Sequence, residues 1–393
     1  MGGPLRVLQV HNRYRLLGGE DGVVEAEAEL LRSSGHEVIQ HFANNPTGAI
    51  PAAAALARAP WNPSSARAIR EAVRTNPPDV AHVHNTWFSL SPSVINALHQ
   101  AKVPVVMTLH NYRLVCVNAL VFRDGRPCHD CIGGSPWPGV RHRCYRQSTA
   151  ASAAAAASIV FNRARGTWDD AVDRFISPSH GLKETLVTGG LPADRVIVRP
   201  HSAPDAGIRA QPPSASSTIL YAGRISEEKG LGVLLDAWAR ARPPGLELVV
   251  AGEGPLRGEL EDRAIEGVRF TGWLSLAEVR ERMLTARALV FPSVCYEVFP
   301  LTIVEAMSAG LAVIGSDHGG PAEIVGQVGA EWLAGAGSVD AWVAALGRLG
   351  DDRAIDAAGA RGRALYLDQY APERGIASLV DVYRAAIDAA GAR

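Results

Sequence analysis

Lysine is nearly missing from this 393-residue chain: Lys102, Lys183 and Lys229 stand against 36 arginines. A lysine inside a motif therefore draws notice, because a compact ammonium and a planar guanidinium are not interchangeable at a phosphate. Net charge is nearly missing too. Thirty-nine basic and 40 acidic side chains leave −1, which gives no bulk electrostatic support for binding nucleic acid or an acidic lipid surface. Long apolar runs are absent: the longest, residues 150–161, is Ala-rich and short of the roughly 20 residues that span a bilayer. The start, Met1-Gly2-Gly3-Pro4, leads straight into strand-like residues 5–10 with no charged region or cleavage site, so no secretory signal is read and a cytoplasmic location is expected. No Gly-x-Gly-x-x-Gly follows that first strand, which disfavours a nicotinamide dehydrogenase.

What is present is an ordinary globular composition, 47% apolar and 20% charged, in a chain long enough for two domains of roughly 150 residues or one large one. Residues 5–10, 37–42, 80–83, 103–109 and 175–177 read as buried parallel strands, with helical spacing over 23–31 and 93–100. Residues 202–217 are rich in Pro, Ser and Ala and read as a spacer. The alternation then restarts, with strands expected at 219–222, 246–251, 268–271, 288–291 and 312–315, and helices at 231–241, 256–265 and 301–309. A single eight-fold barrel would not need a mid-chain spacer. Two doubly wound α/β domains fit better: 1–204, a linker at 205–217, and 218–393, with the last helix expected to pack back on the first domain. In such sheets ligands sit in the loops beyond the C-terminal strand ends.

Three loop motifs stand there. Gly18-Gly19-Glu20-Asp21-Gly22 precedes a helix, where bare backbone amides and the helix dipole favour an anion; the bland alternative is Glu20 or Asp21 capping that helix. Gly223-Arg224-Ile225-Ser226-Glu227-Glu228-Lys229-Gly230 follows a strand and places two cations where a departing diphosphate would gather charge. Glu297-Val298-Phe299-Pro300-Leu301-Thr302-Ile303-Val304-Glu305 sets two carboxylates on either side of a helix start. Pro300 holds Phe299 extended, the amides of Leu301 and Thr302 open the helix, and the carboxylates are too far apart for a glycosidase pair. Taken alone, the second motif has as its alternative a surface turn with solvated charges, and the third a helix N-terminal acid plus one exposed Glu.

Taken with Gly252-Glu253-Gly254-Pro255, Gly319-Gly320-Pro321 and Thr108-Leu109-His110-Asn111, these motifs occur in the order found in the retaining glycosyltransferases of family 4, which the chain resembles over about residues 5–326. The resemblance implies a GT-B fold, two facing Rossmann-like domains with the active-site cleft between them. It also implies transfer of a sugar, with retention, from a nucleotide-diphosphate sugar, UDP-linked by family habit, to a hydroxyl of a sugar, lipid-linked or small-molecule acceptor. Carried over, Arg224 and Lys229 would neutralise the diphosphate and Glu305 would hold the ribose. Glu297 would bond the donor sugar, and Gly19, Gly223, Glu253, Phe299, Leu301 and Thr302 would line the donor site. His110 would lie near the transferred sugar, with Gly18, Glu20 and Asn111 on the acceptor side. Family members often carry Asp where Asn111 stands, and Asn-Gly where His201-Ser202 stands. No divalent metal is expected in catalysis, and membrane contact is expected only through the acceptor. A nucleotide-sugar 2-epimerase of the same fold, or a non-catalytic nucleotide-sugar binder, are the alternatives.

Cys116, Cys128, Cys131 and Cys144 fall within residues 112–147, an irregular stretch with few large apolar residues. A central Cys-x2-Cys with flanking cysteines, in a reducing compartment, favours a structural zinc over disulfides, the metal supplying stability that the apolar content does not. Unligated thiols or redox disulfides are the alternative. Cys295 reads as a packed wall residue.

Overall fold

Strands buried on both faces need near-continuous apolar sequence, and that is where they form. The structure is a computed structural model that describes residues 3–14 and 18–391. The chain divides into two compact units, the first running up to Val121 and including Cys128–Pro200 and the chain from Ile376 onward. The second comprises Phe122–Pro127 and His201–Gly375.

In the first unit, β1 (Arg6–Arg13) leads to α1 (Gly19–Ser33), β2 (Glu37–Asn44), β3 (Val80–Asn85), α2 (Ser93–Gln100), β4 (Val105–Thr108), β5 (Arg174–Ser177) and β6 (Val196–Val198). The sheet is parallel throughout, in the order β2-β1-β3-β4-β5-β6, with Val7 opposite both Val38 and Val80. Helices on both sides cover it. The last helix contributes Leu379, Val382, Tyr383 and Ala386 to a core that also holds Val7, Val80, Val106 and Ile176.

The second unit repeats the scheme with β7 (Thr218–Ala222), α3 (Leu231–Ala241), β8 (Glu247–Ala251), β9 (Val268–Gly272), β10 (Ala288–Phe291), α4 (Leu301–Ser308), β11 (Ala312–Ser316), α5 (Gly319–Val325) and β12 (Leu333–Ala334). Its parallel order is β9-β8-β7-β10-β11-β12. Trp238, Trp332 and Trp342 are almost wholly buried in its core, each such side chain contributing on the order of 2–3 kcal/mol by removal from water.

Four differences from the sequence reading have physical causes. The stretch read as a spacer is ordered on the second unit: Ala203 and Pro213 are buried, and Ser214 donates to Asp356 from backbone and hydroxyl at 2.9 and 2.7 Å. The helix expected over 256–265 covers only Arg257–Glu261, because Ala264 turns to a left-handed backbone with φ 47°. α1 starts at Gly19, four residues early, since Gly18 and Asp21 cap it. The cysteine-rich stretch is packed onto its surroundings: Tyr112, Val115, Val117, Val121 and Val140 are buried, and Val117 and Val140 share a cluster with Trp87, Phe88, Ala155 and Ile159, so neighbouring elements supply apolar contact that the stretch lacks alone.

Candidate functional site

Crowded backbone explains the glycines of the second unit. A Cβ on Gly252 would come within 1.9 Å of the Gly223 carbonyl oxygen, and one on Gly254 within 2.1 Å of the Ile225 oxygen. The loops after β7 and β8 therefore lie against each other, tied by Gly223 N donating to Ala251 O at 3.0 Å and Ile225 N to Glu253 O at 2.9 Å. Both loops leave the C-terminal ends of parallel strands, where amides can face a ligand.

Lys229 and Glu297 are brought together across 68 residues of sequence: Lys229 Nζ donates to Glu297 Oε1 at 2.5 Å. Ser293 Oγ donates to the same oxygen at 2.7 Å, and Cys295 Sγ lies 3.8 Å from it. The two side chains keep 27% and 15% of their surface exposed, so the pair is partly desolvated yet reachable. Burial acts to raise the Glu297 pKa, but the Lys229 ammonium and the hydroxyl and thiol donors reverse it, and the carboxylate titrates below its usual range. Burial acts to lower the Lys229 pKa, and Glu297 foremost, with Cys295 and Glu228, raises it above the usual lysine value. Lys229 is thus a fixed cation with a built-in counter-ion. Burial drives the Cys295 thiol up to about 12, with Glu297 next in effect, which keeps it protonated.

The Glu297 loop is clamped from the other side. Gly320 N donates to Glu297 O at 2.7 Å, and the left-handed Gly319 (φ 60°) would press a Cβ against the Glu297 backbone at 3.1 Å. His318 Nε2 lies 2.9 Å from Cys295 O. Glu305 is half-buried on α4; burial raises its pKa, with Arg280 opposing. Leu301 and Thr302 form the first turn of α4, after Pro300. Phe299 packs edge-on against His201 and Tyr370. Arg224 is exposed, its carbonyl accepting from Tyr221 OH at 2.8 Å, and Glu253 is exposed and paired with Arg257.

The first unit presents imidazoles and acids. Asp21 is buried, accepting from Gly18 N at 3.0 Å and from His11 Nε2 at 2.9 Å, so the acid that caps α1 also holds a histidine. Gly18 and Gly19 are exposed at the helix start. Burial and then the neighbouring Asp21 push the Glu20 carboxyl up to about 8, with Tyr14 and Arg113 opposing. His110 follows β4. Burial, then the nearby His11 and His82, lower its pKa to about 3, so its ring is neutral at ordinary pH. Asn111 Oδ1 accepts from Arg113 N at 2.9 Å, a local turn bond. A cavity of about 50 Å³ is lined by His84, Asn85, His110, Asn111 and Arg113 among others.

None of the five cysteines is in a disulfide. Cys131 is buried, and burial raises its thiol to about 11, with smaller contributions from the other three thiols of the stretch. Among the described residues, ligand atoms of three or more His, Cys, Asp or Glu converge within 4.8 Å only at Glu27, His82 and His84. The four thiols are therefore not gathered at zinc-binding distances.

The sequence reading missed Ser293, His11, Asp21 as a histidine partner, and the group Glu27, His82 and His84. Ser293 carried no signal. The His82-x-His84 alternation did, since residues two apart share one face of a strand and both lie in an apolar run.

The family descriptions that match are Glycosyltransferase Family 4, over residues 17–203, and Glycosyl transferases group 1, over residues 216–352. The chain is 27% identical over 358 residues to a phosphatidyl-myo-inositol mannosyltransferase of Mycolicibacterium smegmatis, covering 86% of this chain and 82% of that one. Among solved structures, sucrose-phosphate synthase from Thermosynechococcus elongatus superposes with TM-score 0.71 at 17% identity, covering 98% and 100% of the two chains. Anabaena Alr3699/HepE in complex with UDP and glucose gives 0.67 at 15% identity, covering 97% and 100%. Two Rossmann-like units with glycine-crowded strand ends, and two family matches that together take in most of the sequence, lead to one conclusion: the chain belongs to the family 4 glycosyltransferases, enzymes of the GT-B fold that use nucleotide sugars.

Proposed function

We propose that this enzyme transfers a hexosyl group, with retention, from a UDP-sugar to a hydroxyl of a sugar, lipid-linked or small-molecule acceptor. The observation that carries this is the Lys229–Glu297–Ser293 cluster beside the strand-end loops of the second unit. UDP is supported by its presence in the Alr3699/HepE neighbour, and an acceptor hydroxyl on a lipid-linked molecule by the mannosyltransferase relative.

In the proposed step the bond from the sugar C1 to the diphosphate breaks, its electron pair going to the phosphate oxygen. The acceptor oxygen bonds to C1 on the same face, and its proton goes to the departing phosphate. Lys229, Arg224 and the amides opening α4 stabilise the growing negative charge, in place of a divalent metal. Glu297, held by Lys229 and Ser293, is set as a hydrogen-bond acceptor for a sugar hydroxyl, and Glu305 takes the ribose. Gly19, Gly223, Glu253, Phe299, Leu301 and Thr302 complete the donor side; Gly18, Glu20 and Asn111 serve the acceptor side with His110. Cys116, Cys128, Cys131 and Cys144 would hold a structural zinc, on the strength of their spacing, only by drawing their sulfurs together.

The test is a thermal-shift panel of nucleotide sugars followed by transfer assays on the stabilising donors. Binding selectively stabilises the native state, so a UDP-sugar should raise the Tm and its GDP counterpart should not. A GDP- or ADP-sugar that alone raises the Tm would overturn the choice of nucleotide.

A further inference from the structure

One buried polar chain in the first unit has no part in the scheme above. Arg199 Nη1 donates to Glu27 Oε1 at 2.8 Å, and Glu27 Oε2 stands 3.8 Å from His84 Nε2. His84 Nδ1 is 3.1 Å from His110 Nε2, the two rings stacked with centroids 5.4 Å apart and planes 27° apart. Arg199, Glu27 and His84 are at most 4% exposed, whereas His110 is half-buried. The chain therefore runs from the interior out to the imidazole placed near the transferred sugar.

A metal could be imagined at Glu27, His82 and His84, but both His82 nitrogens and one of the two Glu27 oxygens are committed elsewhere. His82 Nδ1 lies 2.8 Å from Tyr383 OH, its Nε2 lies 2.7 Å from Thr108 Oγ1, and Glu27 holds the Arg199 guanidinium. What these bonds do is fix rings. The Glu27 carboxylate, 3.8 Å from His84 Nε2 and not hydrogen-bonded to it, favours by its charge the proton on that nitrogen, leaving His84 Nδ1 as a lone pair. His110 can then meet it only by donating from Nε2.

We propose that His84 is a positioning residue for His110: backed by Glu27, it holds the His110 ring in one orientation and as the neutral tautomer with its proton on Nε2. The inference rests on His110 taking part in transfer. A third group that orients an imidazole is the arrangement by which buried carboxylates set catalytic histidines elsewhere in enzymes. The titratable groups seen to act on His110 are His84 and His82 from β3 and His11 from β1; behind them stand Asp21 on His11, Glu27 with Arg199 on His84, and Tyr383 on His82.

The test uses the full chain with 15N-labelled histidine, reading the His110 ring nitrogens by NMR, alongside kcat and KM with the UDP-sugar that supports turnover. In the native enzyme His110 should be the neutral Nε2–H form from pH 5 to 8. His84→Ala should give a mixture of tautomers and lower kcat about 10- to 100-fold, the range for a misplaced group at the reacting centre, with donor KM within about twofold. His84→Asn, whose Oδ1 can accept from Nε2–H, should recover most of that loss. Glu27→Gln, nearly isosteric, should loosen the tautomer even if His84→Ala folds poorly. An unchanged His110 tautomer in both His84→Ala and Glu27→Gln would overturn the inference. So would full activity of His84→Ala while His110→Ala is impaired, which leaves the role of His110 standing. Full activity of His110→Ala would instead remove the role on which the inference rests.

Discussion

The two units solve opposite electrostatic problems with similar sheets. The second holds a cation and an anion in contact, Lys229 on Glu297, each shifting the other toward its charged form. The first holds groups that burial pushes toward neutrality: His110 down to about 3 and Glu20 up to about 8. A site that must meet a diphosphate gains from fixed charge that needs no reorganisation when charge develops. A site proposed to take a neutral hydroxyl gains from uncharged imidazole and carboxyl groups, which can hydrogen-bond it without the cost of a buried charge. With the donor assigned to the second unit and the acceptor to the first, as proposed above, the contrast makes the two tasks separable within the chain.

Removing the fixed charge should have the largest effect. We expect Lys229→Ala to lower turnover by about 100- to 1000-fold, the scale lost when one preorganised stabilising group is deleted from an active site. It also leaves Glu297 without its counter-ion. Because the pair is partly exposed, the accompanying loss of stability should be no more than about 2 kcal/mol, measurable by urea unfolding. Turnover within a few-fold of native would dissolve the distinction between the units.

A smaller effect separates the two carboxylates within the second unit. Glu305→Ala should weaken UDP binding about 10- to 100-fold, the loss of one or two charge-assisted hydrogen bonds. Glu297→Ala should chiefly lower kcat, since contacts to the reacting sugar can strengthen in the transition state. Calorimetric titration with UDP, paired with steady-state kinetics, checks both; equal losses of affinity with turnover unchanged would refute the division.

The pH dependence of stability sharpens the contrast from the other unit. Glu20 has its folded pKa at about 8, above the unfolded value near 4.5, so the folded state holds a proton that the unfolded state releases. Its contribution is present below the unfolded pKa and is lost as pH rises toward 8. Glu20→Gln should therefore gain stability relative to the native enzyme on going from pH 5 to pH 9, read as a difference in urea midpoints. A variant that tracks the native protein over that range would contradict the neutral state of Glu20. The smallest effect expected is that of EDTA: a short exposure should leave activity within about twofold, because the fixed cations, with the helix amides, serve the diphosphate.

Much of the architecture was legible because buried parallel strands and amphipathic helices write themselves as local patterns. Residues 80–83, 219–222 and 288–291 stood out as apolar runs, and the Gly223, Gly252 and Gly319 loops by their glycines. What stayed hidden depends on partners distant in sequence. Nothing near Glu27 shows that it is buried, because its partner Arg199 lies 172 residues away. Nor does the sequence show that Lys229 would be paired with Glu297, or that Val117 and Val140 of the cysteine-rich stretch would pack against Trp87 and Phe88. Propensity marks elements, whereas compensation of a buried charge is a property of the folded chain.

The separation of binding from transfer is tested most directly by titrating UDP into His110→Ala and measuring its turnover on the same preparation. We predict a UDP Kd within about twofold of the native enzyme and a kcat lowered by about 100-fold, the scale lost when one preorganised group is removed from the reacting centre. A His110→Ala enzyme that loses UDP affinity as Glu305→Ala does, or that turns over at the native rate, would contradict it.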